Sequence, residues 1–204
     1  LTHADFTYDI ADWLLFGANF RNYTLDGEGT VYNQDPDGDG VLEKISINEF
    51  GSFLQVNKEI FTGFKFIGSA RYDKNSNYKG RVTPRVAAVY TFADKHNLRF
   101  SYQTGFRNPD TQSQYIYFPA GSTILLGTAR DNAERYGVME GGAWTRSSYN
   151  AYLASGGILD ETTGNPTGGN PAILQEAYAN YIKPERLSAF EFGYKGVISD
   201  KVLV

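Results

Sequence analysis

Three carboxylates at alternate positions are the sharpest chemical feature of this chain. In DPDGDGVLEK, residues 35–44, Asp35, Asp37 and Asp39 precede Gly40. That spacing lets alternate side-chain oxygens converge on a hard cation while glycine takes the sharp turn. The backbone carbonyl of Val41 is the next ligand in the series and Glu43 or a water completes the shell, so the cofactor this pattern admits is calcium. The pattern then departs from the EF-hand loop, whose twelfth position needs a bidentate Glu and is Ser46 here. A site of this kind is expected to be weak, about 0.1–1 mM as in extracellular modules. The same residues also read as a solvated acidic turn, because Asp, Pro and Gly are turn formers in their own right.

Residues 109–185 suggest a second kind of chemistry. The segment is too long for a structureless connection in a compact domain, and it carries Tyr115, Tyr117, Phe118, Tyr136, Trp144, Tyr149, Tyr152, Tyr178 and Tyr181. Tyr and Trp give broad, stiff contact area with a polar handle, and Asn and Gln add adaptable hydrogen bonds. Tyr115, Tyr117, Trp144, Arg146, Tyr149 and Tyr152 are the candidate ligand contacts. The plainer reading is that these rings pack the segment's own small core. Residues 171–182, PAILQEAYANYI, put Pro at a first helical turn and apolar side chains at helical spacing; 128–138 and 145–154 suit shorter helices. An ordered cap is expected.

Catalysis finds little support in the chain, which is expected not to be an enzyme. His3 and His96 are far apart with no ligand-spaced neighbour, cysteine is absent, and no G-x-S-x-G elbow occurs. GNPTGGNP, residues 164–171, lacks the Lys-Ser/Thr of a phosphate-binding loop.

The elements that must position these groups read as strands, at 2–8, 13–24, 45–60, 64–74, 81–92, 98–108 and 186–198, with another beginning at 202. Leu98, Phe100, Tyr102, Thr104 and Phe106 alternate with Arg99, Ser101, Gln103, Gly105 and Arg107, and the pattern stops at Asn108-Pro109. Connections 9–12, 61–63, 93–97 and 199–201 are tight, whereas 25–44, 75–80 and 109–185 are longer. An up-and-down antiparallel sheet puts alternate connections at opposite ends, and outer-membrane barrels keep short turns at one end and long loops at the other. Aromatics near strand ends, Trp13, Tyr23, Phe61, Phe64, Tyr72, Phe92 and Phe106, suit interfacial girdles. Pro84 interrupts a strand pattern and suits a bulge. On this reading Phe66, Ala70, Phe100, Tyr102, Phe190 and Phe192 face lipid, and Arg71, Arg99, Gln103 and Glu191 face the lumen. A soluble or surface-attached β-rich, calcium-stabilised binding module is the alternative that alternation leaves open.

Composition bounds the partners. With 15 Tyr, 14 Phe and 22 Gly in 204 residues, the chain suits many strands and turns. A formal charge of −4 and a pI near 5.2 argue against a polyanion-binding surface, so nucleic acid is not an expected partner. No apolar run is long enough for a helical span. The start, LTHADFTYDIADW, lacks the features of a signal peptide.

The stretches GRVTPRVAAVYTF, HNLRFSYQTGFRNPDTQSQY and IKPERLSAFEFGYKG, with SARYDKN, FGANFRNY and FGSFLQVNKEIF upstream, resemble the C-terminal barrel half of TonB-dependent outer-membrane receptors, particularly those of Bacteroidetes-type bacteria. The resemblance implies an all-β, antiparallel up-and-down transmembrane barrel of about 22 strands, of which this chain holds seven or eight. It implies a location in the bacterial outer membrane and import of a scarce small molecule, oligosaccharide or peptide. It implies outer-membrane lipid and the TonB complex as partners, the latter through an N-terminal part and plug domain outside this chain. Residues 1–204 are then expected to be one part of a single barrel domain, with outer loops 25–44, 75–80 and 109–185.

Overall fold

Period-two alternation gives each long segment one apolar and one polar side, and backbone pairing joins the segments edge to edge. The computed structural model describes residues 1–28, 30–32, 34, 40–93, 95–120, 123–135, 143–160, 165–178, 180–198 and 202–203. The chain runs through β1 (Thr2–Ala11), β2 (Leu14–Leu25), β3 (Ile45–Phe61), β4 (Phe64–Asn75), β5 (Tyr78–Phe92) and β6 (His96–Arg107). Four short strands follow: β7 (Tyr117–Ala120), β8 (Thr123–Leu126), β9 (Gly157–Leu159) and β10 (Pro166–Gly168). It then returns through β11 (Glu185–Ile198) and β12 (Val202–Leu203). The main sheet is antiparallel in the order β1-β2-β3-β4-β5-β6-β11-β12. This is the all-β up-and-down architecture expected from the alternation.

The register carries the geometry of a barrel wall. The Leu14 end of the β1–β2 hairpin lies in the cross-strand row of Tyr102, the Phe61–Phe64 end of β3–β4 in the row of Leu98, and the β5–β6 turn at His96. Gly196 pairs with His96, and the β11–β12 turn begins two residues further on, at Ile198. From Tyr102 to that row is a drift of eight residues across six inter-strand spacings. At about 3.3 Å per residue and about 4.8 Å per strand, the drift is about 26 Å along for about 29 Å across, an inclination of about 40°. Barrels require this tilt to close.

One expectation is corrected here. The connection placed at 75–80 is only Ser76–Asn77, because β5 begins at Tyr78. The Asn75 side chain accepts the Asn77 amide at 2.8 Å, the self-closing turn Asn favours, and the Ser76 amide reaches the Asn48 carbonyl. The alternation of sheet ends survives; the alternation of loop lengths fails at this hairpin.

The chain divides into two compact units: Leu1–Leu25, Lys44–Asn108 and Lys183–Val204 form the sheet, and Asp26–Glu43 with Pro109–Ile182 form the second. The second unit holds α1 (Thr111–Tyr115), α2 (Arg130–Arg135), α3 (Arg146–Ala154) and the hairpins β7–β8 and β9–β10. Asp110 caps α1 through the Ser113 amide at 2.7 Å, and Thr145 caps α3. The two loops meet where the Tyr117 amide donates to the Val31 carbonyl at 2.9 Å. The helix expected at 171–182 is reduced to a single 3-10 turn, Pro171–Ile173. Beyond it the chain runs extended, with Thr145 donating to Gln175 and Ala177 to Ala143 around a Trp144–Glu176 bridge. Backbone pairing here overrides helical propensity.

Candidate functional site

Residues opposite one another in a ladder share a face, so the register sorts the sheet. One face carries the rows Phe66–Ala88–Phe100–Phe192, Gly68–Val86–Tyr102–Phe190 and Leu54–Ala70–Pro84. Phe100, Phe190 and Phe192 are 45%, 72% and 75% exposed, far from the burial of a closed core. At the short-turn end a chain of ring contacts runs Phe61–Phe64, Phe61–Tyr90, Tyr90–Phe92, Phe92–His96 and His96–Tyr194, with centroids 4.9 to 6.4 Å apart. Trp13 lies at the same end, under the Lys58 ammonium at 4.6 Å. An apolar band edged by aromatic rings is what a lipid-facing wall requires.

The other face is polar and cross-linked. Arg71 grips Asp73 through Nε at 2.7 and 2.9 Å and donates to Asn19 Oδ1 at 2.7 Å. Gly51 makes this possible: a Cβ there would meet Arg71 Nη2, Asn19 Oδ1 and Asp73 Oδ1. Glu49 accepts from Asn75 at 2.9 Å and from the Tyr23 hydroxyl at 3.1 Å, and Tyr23 in turn accepts from Arg21 at 2.8 Å. Further along, Ser101 donates to Glu191 at 3.1 Å. Tyr23, expected in a girdle, belongs to this polar network instead. Phe106 is also corrected: alternation groups it with Phe100 and Tyr102, yet it lines the same cavities as Arg71 and Asp73. The sequence offered signals for the network only within single strands, such as Arg71 and Asp73 two apart on β4; their convergence with Asn19 depends on pairing across 52 residues.

The six candidate ligand contacts divide by burial. Tyr115 and Tyr152 are 3% and 0% exposed. The Tyr115 hydroxyl donates to Asp131 at 3.2 Å; that of Tyr152 lies 2.8 and 2.7 Å from the Ile158 and Thr167 carbonyls, tying α3 to the β9–β10 hairpin. These two rings pack the second unit's interior and present nothing to a ligand. Tyr117, Trp144 and Tyr149 are half-buried and Arg146 is exposed.

Of the candidate calcium ligands, Asp35, Asp37 and Asp39 lie outside the described residues. Val41 and Glu43 are exposed. The ends of the loop are clamped by Gln34, itself 1% exposed. Its carbonyl accepts the Glu43 amide at 2.7 Å, while its side chain donates to the Glu43 carbonyl at 3.1 Å and accepts the Gly27 amide at 2.8 Å.

One face suited to hydrocarbon, one suited to water and polar solutes, and strands inclined at the barrel angle together describe a wall between the two. A family model described as TonB dependent receptor-like, beta-barrel, matches residues 1–203. No curated protein and no solved structure matches.

Proposed function

This chain belongs to the TonB-dependent receptor β-barrel family, transporters of the bacterial outer membrane, and from that premise we propose that it contributes wall and ligand-facing loops to a receptor importing a scarce ligand. The opposition of faces carries this reading: exposed Phe100, Phe190 and Phe192 toward lipid, Arg71, Arg99, Gln103 and Glu191 toward the lumen. Further strands, a plug and the segment that meets TonB are supplied by polypeptide outside residues 1–204. A soluble or surface-attached module would need protein covering the aromatic face, and the sheet unit leaves it open. The second unit is built from the β2–β3 and β6–β11 connections, which leave the sheet at the same end as the Ser76–Asn77 turn, opposite the β1–β2, β3–β4 and β5–β6 turns. In this reading the second unit supplies the ligand-facing loops, and Tyr117, Trp144, Arg146 and Tyr149 are the side chains that meet ligand.

The test compares cells with and without the full-length receptor for the solutes they deplete from a complex medium, with a third arm lacking TonB. Depletion of a specific solute only when receptor and TonB are both present is the expected result. Depletion unaffected by loss of TonB would remove the reading.

Calcium belongs to the same proposal. Asp35, Asp37, Asp39 and the Val41 carbonyl take the ion in this reading, with Glu43 or a water completing the shell, and the hydrogen bonds that bring Gln34 to Glu43 support it. Titration calorimetry at millimolar calcium should give saturable heat that Asp37→Ala abolishes; identical traces would leave a solvated turn.

A further inference from the structure

The ladder between β5 and β6 ends at Arg85 and Gln103, although β5 extends back to Tyr78 and β6 onward to Arg107. Pro84 stands at the break. It has no N–H to offer β6, and its carbonyl takes the Thr104 hydroxyl at 3.1 Å instead. Past this point Phe106 comes within 5.8 Å of the Arg81 guanidinium. Beside them lies a cavity of about 340 Å³ on the polar face, within the size range of small-ligand sites.

The charges around that cavity do not balance. Six Arg or Lys residues line it against two carboxylates, Glu49 and Asp73. Both carboxylates are committed: Asp73 to the fork of Arg71, Glu49 to Asn75 and Tyr23. Arg107 pairs with Glu185 at 3.1 Å, and Lys74 donates to the Tyr78 carbonyl. Lys79 and Arg81 have no carboxylate partner among the described residues. Arg81 Nη1 is covered by protein and has no acceptor among the described residues. A covered charged donor without an acceptor is unfavourable, and the planar fork of Arg matches the oxygens of a carboxylate or phosphate.

We infer that this cavity is an anion subsite of the barrel wall, in which Arg81, supported by Lys79, takes a carboxylate or phosphate group of a solute inside the lumen. The inference rests on the transport reading. Phe106 backs the guanidinium with its ring face, restricting its motion and shielding it from water, and Arg71 is held to Asp73 rather than competing for the ligand. A carboxylate on the polypeptide that fills the lumen has the same chemistry, so the experiment separates the two sources.

Citrate and inorganic phosphate are titrated into the detergent-purified full-length receptor at low and physiological salt. Saturable binding that weakens with salt, and that falls at least about tenfold in Arg81→Gln while Arg81→Lys keeps much of it, is the expected result. No saturable binding of either probe, or equal binding by Arg81→Gln, overturns the subsite. A drop in unfolding temperature of Arg81→Gln without any anion binding by the parent assigns Arg81 to an internal carboxylate and overturns the solute assignment. TonB-dependent uptake that persists beside a blank titration ends this inference alone, whereas anion binding without TonB-dependent uptake ends the transport reading alone.

Discussion

At Gly51 the absence of a side chain is what the polar network needs. A methyl group there would collide with Arg71, Asn19 and Asp73, while one at Gly105 would meet nothing within 4 Å. Gly51→Ala should therefore destabilise the full-length receptor by about 1–3 kcal/mol through overpacking, seen as a lower unfolding temperature, and Gly105→Ala serves as the unaffected control. On the other face, Phe100 and its partner Phe192 lie near the middle of β6 and β11. Arg at either position should cost about 2–4 kcal/mol, the range for a cation at the bilayer midplane, read by folding equilibrium in lipid vesicles; a change near zero would move these residues out of the membrane. The faces of Phe100, Phe192, Arg71 and Gln103 are legible from alternation alone, because period two is local. The Arg71–Asn19 contact and the displacement of Phe106 are not. The first depends on pairing register between distant strands, the second on where the β5–β6 ladder ends.

Elements are legible where their signal is a long alternating run and obscure where pairing can substitute for propensity. Strands β2, β3 and β4 fall within one residue or so of their expected limits, and α3 appears where helical spacing puts it. PAILQEAYANYI fails as a helix because its middle, 175–177, pairs with residues 143–145, a contact no local pattern announces. Within the second unit, Tyr152 is the fastening between α3 and the β9–β10 hairpin. Tyr152→Phe removes the single hydroxyl hydrogen that the Ile158 and Thr167 carbonyls share and should loosen that hairpin by about 1–3 kcal/mol, detected as faster amide exchange over 157–168. The start of α1 is set by charge. The Ser113 amide and hydroxyl hold the Asp110 carboxyl below its ordinary pKa, so the folded state favours the ionised form. This contribution is complete above the unfolded value, about 3.9, and disappears as pH falls through the lower folded value. Amide exchange at 111–115 should therefore be steady from neutral pH down to about 4 and lose protection only in stronger acid, with Asp110→Asn showing no such acid transition.

For the whole molecule, the decisive quantity is the drift of short turns across the ladder. A flat soluble sheet has no reason to offset successive hairpins steadily in one direction, whereas a barrel wall inclined by about 40° must do so to keep its turns at one level. The sequence shows the tight connections at 9–12, 61–63 and 93–97 but not the one at Ser76–Asn77, and the drift follows only from which residues pair. That level fixes which connections reach the opposite side. Residues 26–43 and 109–182 arise there and share a unit bound by the Val31–Tyr117 and Thr128–Ile182 hydrogen bonds. If this unit is the ligand-facing cap, its contribution should separate from that of the wall. Deleting 120–170 removes α2, α3 and both short hairpins except the first residues of β7, yet leaves β6 and β11 to pair through all the rows from Arg107–Glu185 to His96–Gly196. The truncated receptor should insert with the same heat-modifiable mobility as the parent, since the wall's lipid face and ladder are untouched. Uptake and ligand affinity should fall together, because the half-buried aromatic surface at Trp144 and Tyr149 goes with the deletion. Undiminished uptake by a correctly inserted deletion would take ligand capture away from this unit and return it to the wall.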